Sequence, residues 1–234
     1  MTVKHLSTQF DSELNALSSR VMEMGGLVES QIRQAIYAVA EFNAEVARQV
    51  VETEDRVNQM EVEIDRDLSS VIARRQPTAR DLRLLMAISK TIANLERVGD
   101  EARRIARMVL SIVEKGGAVR ALPAGELRVS ADLASAQLRK VLDAFARLDV
   151  AAALAIIKGD DLLDQEFDGF VRKLITYMME DPRTISSSLD LLFVAKAIER
   201  IGDHATNIAE LIIYVVKGAD VRHSSMENVE SALR

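Results

Sequence analysis

The chain has 234 residues, a net charge of −6, 48% hydrophobic residues and only 4% aromatic residues. A nucleic-acid-binding surface needs a basic footprint and often stacking rings, so this composition argues against nucleic acid as a partner. The chain contains no cysteine, which excludes a disulfide framework and a thiolate metal site. The first residues, MTVKHLSTQFDSEL, lack the apolar core of a signal peptide, and no run of about 18 apolar residues occurs. We therefore expect a cytoplasmic protein without a membrane span.

Long helices are the predicted elements, because only 3 prolines and 10 glycines interrupt the chain. Apolar residues recur at spacings of three and four, as in helices that pack around a shared core. In chain order, the first three helices are predicted near residues 8–41, 43–74 and 78–115, and the next three near 127–147, 149–179 and 183–217. The expected boundary residues are the N-caps Asn43 and Asp149, the helix-start prolines Pro77 and Pro182, and the C-terminal glycines Gly116 and Gly218.

Two segments of the chain are close copies of each other. LERVGDEARRIA occupies residues 95–106 and IERIGDHATNIA occupies residues 198–209, so that Glu199 follows Glu96 by 103 positions. Earlier matches, such as Gln31 with Gln137, are 106 positions apart. Because the order of the matches is preserved while the offset drifts by only three residues, we interpret them as an internal duplication of about 100 residues.

The duplication predicts the domain organisation. The fold class is all-α, with two tandem antiparallel three-helix bundles. The first bundle is predicted at residues 8–116 and the second at residues 127–218. A glycine-rich linker at 117–126 separates them, and a flexible C-terminal tail occupies 219–234.

The duplicated unit Glu-Arg-x-Gly-Asp carries the candidate chemistry. It pairs Glu96 with Asp100 in the first repeat and Glu199 with Asp203 in the second. Residues at i and i+4 share one helix face, and like charges at that spacing destabilise a helix by a few tenths of a kcal/mol. A sequence that repeats this arrangement is expected to supply a cation, either an arginine or a bound metal ion.

The preceding helix of each repeat adds oxygen ligands. These candidates are Asp55 and Asn58 in the first repeat, and Asp161 and Asp164 in the second. Asn207 continues the acidic stripe of the sixth helix. Bundles commonly build metal sites from inward-facing carboxylates on neighbouring helices. An oxygen-rich set suits Mg, Mn, Ca or Fe, whereas Zn normally prefers His or Cys.

Other interpretations of the same residues stay open. The acidic pairs are equally compatible with a solvated helix face that is neutralised by Arg97 or Arg200. Gly99 and Gly202 allow either a close helix crossing, which we prefer, or room for a ligand cluster. His204 is interpreted as a solvent-facing helix residue rather than a catalytic base. The chain has no Glu-x-x-His unit, phosphate-binding loop or nucleophile elbow, so we expect no catalytic residues and no enzyme activity.

At these residues the chain resembles the PhoU family of bacterial phosphate-transport accessory proteins. The resemblance is carried by MGGLVESQI at 24–32, RRQPTARDLRLLMAISKTIANLERVGD at 74–100, TYMMEDPRTI at 176–185 and AIERIGDHATNIAELI at 197–212. It implies two three-helix bundles whose Glu/Asp-x-x-x-Asp motifs bind metal ions, with Fe, Zn, Mg or Mn as candidates. Glu96 and Asp100 with Asp55 would then form the first site, and Glu199 and Asp203 with Asp161 and Asp164 the second.

The resemblance also implies a role in signalling. A family member would repress the phosphate-starvation response by coupling the ATPase subunit of the phosphate ABC transporter to the membrane sensor histidine kinase PhoR. It would act as a homodimer and reach the membrane only through these partners. The alternatives are a metal-dependent enzyme that uses the carboxylate-bound ions, and a plain helical scaffold.

The first repeat departs from the family pattern at one point. The second repeat has DHATNIAE, whereas the first has DEARRIAR, so that Arg104 stands where Asn207 stands and Arg107 where Glu210 stands. A guanidinium at that position would offset the charge of the first acidic pair without a metal ion. The sequence therefore predicts tighter metal binding at the second site.

Overall fold

The fold is all-α, with no strand in the residues that the structure describes. The computed structural model describes residues 8–115, 123–222 and 224–233. The first repeat consists of α1 (Thr8–Glu41), α2 (Ala44–Arg75) and α3 (Ala79–Lys115). The second consists of α4 (Arg128–Arg147), α5 (Val150–Lys158), α6 (Asp161–Glu180) and α7 (Ile185–Lys217), followed by α8 (Met226–Leu233). Two tandem three-helix bundles are confirmed.

Local chemistry at the predicted caps explains where several helices begin and end. The Asn43 side chain accepts the backbone N–H groups of Glu45 and Val46, and the Asp149 side chain accepts that of Ala152. Gly218 ends α7 with a φ of 76°, a left-handed conformation that favours glycine. The predicted end of α3 at Gly116 lies outside the described residues.

Two predictions about the second repeat are wrong. The single helix predicted at 149–179 is interrupted at Gly159, whose backbone N–H donates to the carbonyls of Ile156 and Ile157, and a new helix begins at Asp161. The tail predicted as flexible at 219–234 contains α8. Its Val229 is buried, and Lys158 on α5 pairs with Glu230 at 2.5 Å, so apolar burial and an ion pair hold this helix against the second repeat.

The linker is partly described. Residues 117–122 lie outside the described ranges, whereas Ala124–Leu127 form a 3-10 turn. Ala124 and Leu127 are both buried, so this part of the predicted linker packs on the second repeat's first helix.

The two repeats meet along α3 and α7, which make the most extensive helix–helix contact of the described structure. The helices run antiparallel, because Lys115 at the end of α3 pairs with Asp190 near the start of α7 at 2.6 Å. At the opposite end, the Arg83 guanidinium donates to the Val215 carbonyl. Within the described ranges, no helix is both long and apolar enough to cross a bilayer.

Candidate metal centre

Three carboxylates converge in the first repeat. Glu54 on α2 lies beside Glu96 and Asp100 on α3, and one oxygen from each lies within 4.8 Å of the others. The Glu54 side chain is fully buried, while Glu96 and Asp100 are partly buried. The arrangement joins two helices through their acidic side chains at the edge of the core. We call Glu54, Glu96 and Asp100 the first acidic cluster.

Gln31 and Gly99 position Glu54. The Gln31 Nε2–H group donates to Glu54 Oε2 at 2.8 Å and to the Val50 carbonyl at 3.2 Å. A Cβ atom at Gly99 would lie 3.0 Å from Glu54 Oε2 and 3.2 Å from Gln31 Oε1. The glycine therefore leaves the space that the two polar side chains occupy, in addition to allowing α2 and α3 to approach closely.

The electrostatics of the first acidic cluster favour a cation. Burial raises the pKa of Glu54, and the Asp100 carboxylate raises it further, against a hydrogen bond from Gln31 that lowers it. Burial also raises the pKa of Glu96, as do the neighbouring carboxylates of Asp100, Glu61 and Glu54. The side chains therefore repel one another when ionised, and a positive ion between them would remove this repulsion.

Several buried oxygen atoms at or near the first acidic cluster lack a hydrogen-bond donor from the protein. Gln31 Oε1, Glu54 Oε1 and Asn58 Oδ1 are three of the seven side-chain oxygens that are buried without a hydrogen-bond partner among the described residues; Glu199 Oε2 in the second repeat is another. Asn58 lies one helical turn after Glu54 and therefore on the same face of α2. Buried acceptors are normally satisfied, so these three oxygens are available to a water molecule or a metal ion.

The predicted ligands of the first site are not all brought together. Glu96 and Asp100 lie in the first acidic cluster, whereas Asp55 is exposed and lies outside it. Glu54, which the sequence analysis missed, takes the interior position instead. Glu54 lies on the seam formed by Ala47, Val50, Val57 and Ile64, all buried, and an acid among apolar seam positions was the available signal.

The second repeat places its acids differently. Asp160 accepts a hydrogen bond from Thr206 Oγ1 at 3.0 Å, and Gln137 Nε2 lies 3.5 Å away. Glu199 is buried, and its Oε1 accepts a hydrogen bond from Lys196 Nζ at 2.5 Å. Asp203 is exposed at the surface, and partial desolvation raises its pKa to about 6, with further contributions from Glu199 and Asp160.

Asp161, Asp164 and Asn207 are exposed. Asn207 donates to Asn94 Oδ1 on α3 at 3.3 Å rather than facing an acid. No three carboxylates of the second repeat come as close together as the first acidic cluster, as far as the described residues show. As in the first repeat, the acid nearer the interior lies one residue before the predicted ligand. Asp160 precedes the predicted Asp161, just as Glu54, which corresponds to Asp160 at the offset of 106, precedes the predicted Asp55.

The cations of the two repeats also differ from the prediction. Arg104 does not offset Glu96 and Asp100, because its Nε lies 3.5 Å from Glu101 Oε2. Arg103, one residue earlier, pairs with Asp100 instead. In the second repeat Lys196 already lies against the acids. A guanidinium does offset Asp100, but it belongs to Arg103 rather than to the predicted Arg104.

His204 belongs to the contact between the repeats. Its Nδ1 lies 3.1 Å from Asn94 Oδ1 on α3, and burial lowers its pKa to about 4, with the nearby Arg97 and Arg200 lowering it further. The ring is therefore neutral at pH 7 and donates to Asn94. The interpretation of His204 as a solvent-facing residue is wrong.

Comparison with known proteins identifies related chains over almost the whole length. The family model described as the PhoU domain matches twice, at residues 21–109 and 127–212. A phosphate-specific transport system accessory protein PhoU homolog from Burkholderia sp is 48% identical over 229 residues, covering 98% of this chain and 97% of the relative. The phosphate-specific transport system accessory protein PhoU of Escherichia coli K12 is 47% identical over 230 residues, covering 98% and 94%.

Solved structures agree with these matches. The crystal structure of PhoU from Pseudomonas aeruginosa superposes with a TM-score of 0.85 at 43% identity, covering 90% of this chain and all of that one. The phosphate transport system regulatory protein PhoU from Streptococcus pneumoniae superposes with a TM-score of 0.83 at 27% identity, covering 91% and 99%.

Proposed function

Since the chain belongs to the PhoU family, we propose that it is a regulatory accessory protein of a phosphate-specific transport system and binds a metal ion at the first acidic cluster. The observation that carries the metal proposal is the convergence of Glu54, Glu96 and Asp100 beside buried oxygens that lack a protein partner. Relatives with matching chains are named accessory or regulatory proteins of phosphate transport, which supports the first part.

The donor set fits a hard or borderline cation. Glu54, Glu96 and Asp100 supply three carboxylates, an all-oxygen set that suits Mg, Mn or Fe better than Zn, and the unpartnered amide oxygen of Asn58 lies one turn further along the same face of α2. A bound cation would supply positive charge that ties α2 to α3. In the second repeat Asp160, Glu199 and Asp203 are the corresponding acids, and both sites contain a competing cation, Arg103 in the first and Lys196 in the second. We expect weaker metal binding in the second repeat because its described acids do not converge as those of the first acidic cluster do.

We further propose a non-enzymatic role in the cytoplasm. In this role the protein represses the phosphate regulon when phosphate is plentiful, because it couples the transporter ATPase to the sensor histidine kinase. Self-association as a homodimer is supported by three exposed apolar side chains, Ile185, Leu189 and Phe193, which follow one another at single-turn spacing on α7. A shift of Phe193→Glu to a smaller species in size-exclusion chromatography would support this dimer, and an unchanged elution would contradict it.

Paired substitutions at neighbouring residues test the metal proposal. Glu54→Gln removes the interior carboxylate, while Asp55→Asn makes the same chemical change at the exposed position beside it. At a Mn²⁺ concentration of about 100 times Kd, the wild type should gain about 2.7 kcal/mol of stability. For a chain of this length that is roughly 5–11 °C in Tm. Glu54→Gln should lose this gain, and Asp55→Asn should keep it.

Equal losses in both variants would mean that Asp55 is a ligand, and no gain in the wild type with Mn²⁺, Mg²⁺ or Fe²⁺ would end the proposal. The regulatory role is tested separately in cells. Deletion of the gene should leave a phosphate-regulated reporter active in excess phosphate, and the wild-type gene should restore repression. Repression by Glu54→Gln equal to that by the wild type would show that the metal ion is not needed for regulation.

A further inference from the structure

The exposed side of α3 carries a cavity of about 280 Å³ that is rich in arginine. It begins at the last residue of the Glu-Arg-x-Gly-Asp unit, extends about two turns beyond it, and is smaller than the pockets that hold drug-sized ligands. Its walls are Asp100, Glu101, Arg103, Arg104, Arg107 and Met108. Asp100 therefore lines this cavity and also belongs to the first acidic cluster. We call this space the arginine cavity.

The arginine cavity has more positive than negative charge. Arg103 pairs with Asp100. The buried Glu101 carboxylate is shared by two guanidiniums, those of Arg104 at 3.5 Å and of Arg200 from α7 at 3.2 Å. For Arg107 the described part of the chain provides no carboxylate partner. The cavity walls thus carry three guanidiniums and two carboxylates, a surplus of one positive charge, and Arg200 from α7 adds a further guanidinium to Glu101 from outside the cavity.

The helix does not need these arginines in order to form. The second repeat builds the same helix with Thr206, Asn207 and Glu210 at the positions that correspond to Arg103, Arg104 and Arg107. Three like charges within five consecutive positions repel one another, which costs stability in the absence of an anion. The first repeat therefore has a charge distribution that an anionic ligand would stabilise.

We propose that the arginine cavity binds a phosphate group, either as inorganic phosphate or as the phosphoryl group of a larger molecule. Guanidinium groups present paired N–H donors that match phosphate oxygens, and such charge-assisted hydrogen bonds are stronger than neutral ones. Asp100 and Glu101 repel an anion, but both are already neutralised by arginine. The proposal goes beyond the metal site, because the arginines line the cavity whether or not the acidic cluster holds an ion.

The repeats themselves supply the test variant. The cavity variant replaces three arginines of the first repeat with the corresponding residues of the second repeat. Its substitutions are Arg103→Thr, Arg104→Asn and Arg107→Glu. The control makes the same three changes at exposed arginines of α2, namely Arg48→Thr, Arg56→Asn and Arg66→Glu. It has the same change in net charge but leaves the arginine cavity intact. Binding of inorganic phosphate, AMP and acetate is measured by isothermal titration calorimetry on metal-free protein, so that a failure of the metal proposal does not affect the result.

We expect saturable phosphate binding by the wild type and the control, and at least a tenfold loss in the cavity variant. Single Arg107→Gln, which changes an exposed side chain, should weaken binding without affecting the fold. Binding of AMP but not of free phosphate would assign the site to a phosphoryl compound. The proposal is overturned if neither ligand binds the wild type, if acetate binds as tightly as phosphate, or if the control loses as much affinity as the cavity variant.

Discussion

Replacing Gly99 with alanine tests whether this glycine makes room for the buried carboxylate of Glu54. Gly26 provides the matched control, since it also lies within a helix but is exposed, and a Cβ atom there would have no neighbour within 4 Å. In a helix interior, alanine is about 1 kcal/mol more favourable than glycine. Gly26→Ala should therefore increase the free energy of unfolding by about 1 kcal/mol.

At Gly99 the same gain is opposed by crowding. The added Cβ would lie 3.0 Å from Glu54 Oε2, 3.2 Å from Gln31 Oε1 and 3.3 Å from Val57 Cγ1. Overpacking a core costs typically about 1–3 kcal/mol. Gly99→Ala should therefore lower the free energy of unfolding by about 0–2 kcal/mol. The free energies of unfolding of Gly99→Ala and Gly26→Ala should differ by about 1–3 kcal/mol.

Urea denaturation followed by far-UV circular dichroism measures this difference directly. In thermal melts it corresponds to roughly 2–12 °C for a chain of this length. If Gly99→Ala gained as much stability as Gly26→Ala, the glycine would not be needed to accommodate Glu54 and Gln31. The arrangement of the first acidic cluster would then have to be different.

Three further outcomes are expected from other parts of the molecule. Burial raises the pKa of Glu210 from 4.5 to about 7. The folded state therefore retains this proton at a pH where the unfolded chain has lost it, and the free energy of unfolding should fall as the pH rises from about 4.5 to about 7. Glu210→Gln should flatten that part of the profile, and an unchanged profile would show that Glu210 is solvated. Val229 is 2% exposed, and Val229→Ala should cost about 1–2 kcal/mol locally. Amide exchange in α8 should then accelerate about 5- to 30-fold, whereas exchange at the wild-type rate would indicate that α8 is not anchored by this side chain. Finally, phosphate should bind the arginine cavity more tightly in saturating Mn²⁺, because a cation on Asp100 would release Arg103 to contact the phosphate. Equal phosphate affinities in calorimetry with and without Mn²⁺ would show that the first acidic cluster and the arginine cavity are independent.

The sequence predicts the helices well because periodicity and capping are local properties. Asn43 and Asp149 are capping residues by their own chemistry, and both cap the predicted helices. The interruption at Gly159 is different, since Thr53 occupies the corresponding position in an unbroken α2. A single glycine is tolerated within a helix, and whether the helix breaks there depends on packing that no local pattern contains.

The members of the first acidic cluster were predicted only in part, for a geometrical reason. Successive residues of a helix are rotated by about 100°, so Asp55 points away from the interior that its neighbour Glu54 enters. Glu96 and Asp100 were found because their own spacing places them on one face. The partner of Arg104 could not be read from spacing, since Asp100 and Glu101 both lie within one turn of it and only side-chain packing selects Glu101.

The antiparallel contact of α3 with α7 has a consequence for the history of the molecule. Two equivalent helices that pack face to face are what a chain of half this length would use to form a symmetric dimer. In such an ancestor every substitution would appear on both subunits at once. Gene fusion removes that constraint, so one half can acquire Arg103, Arg104 and Arg107 while the other keeps Thr206, Asn207 and Glu210. The two repeats thus share the α3–α7 contact, while the residues outside this contact can change independently in each repeat.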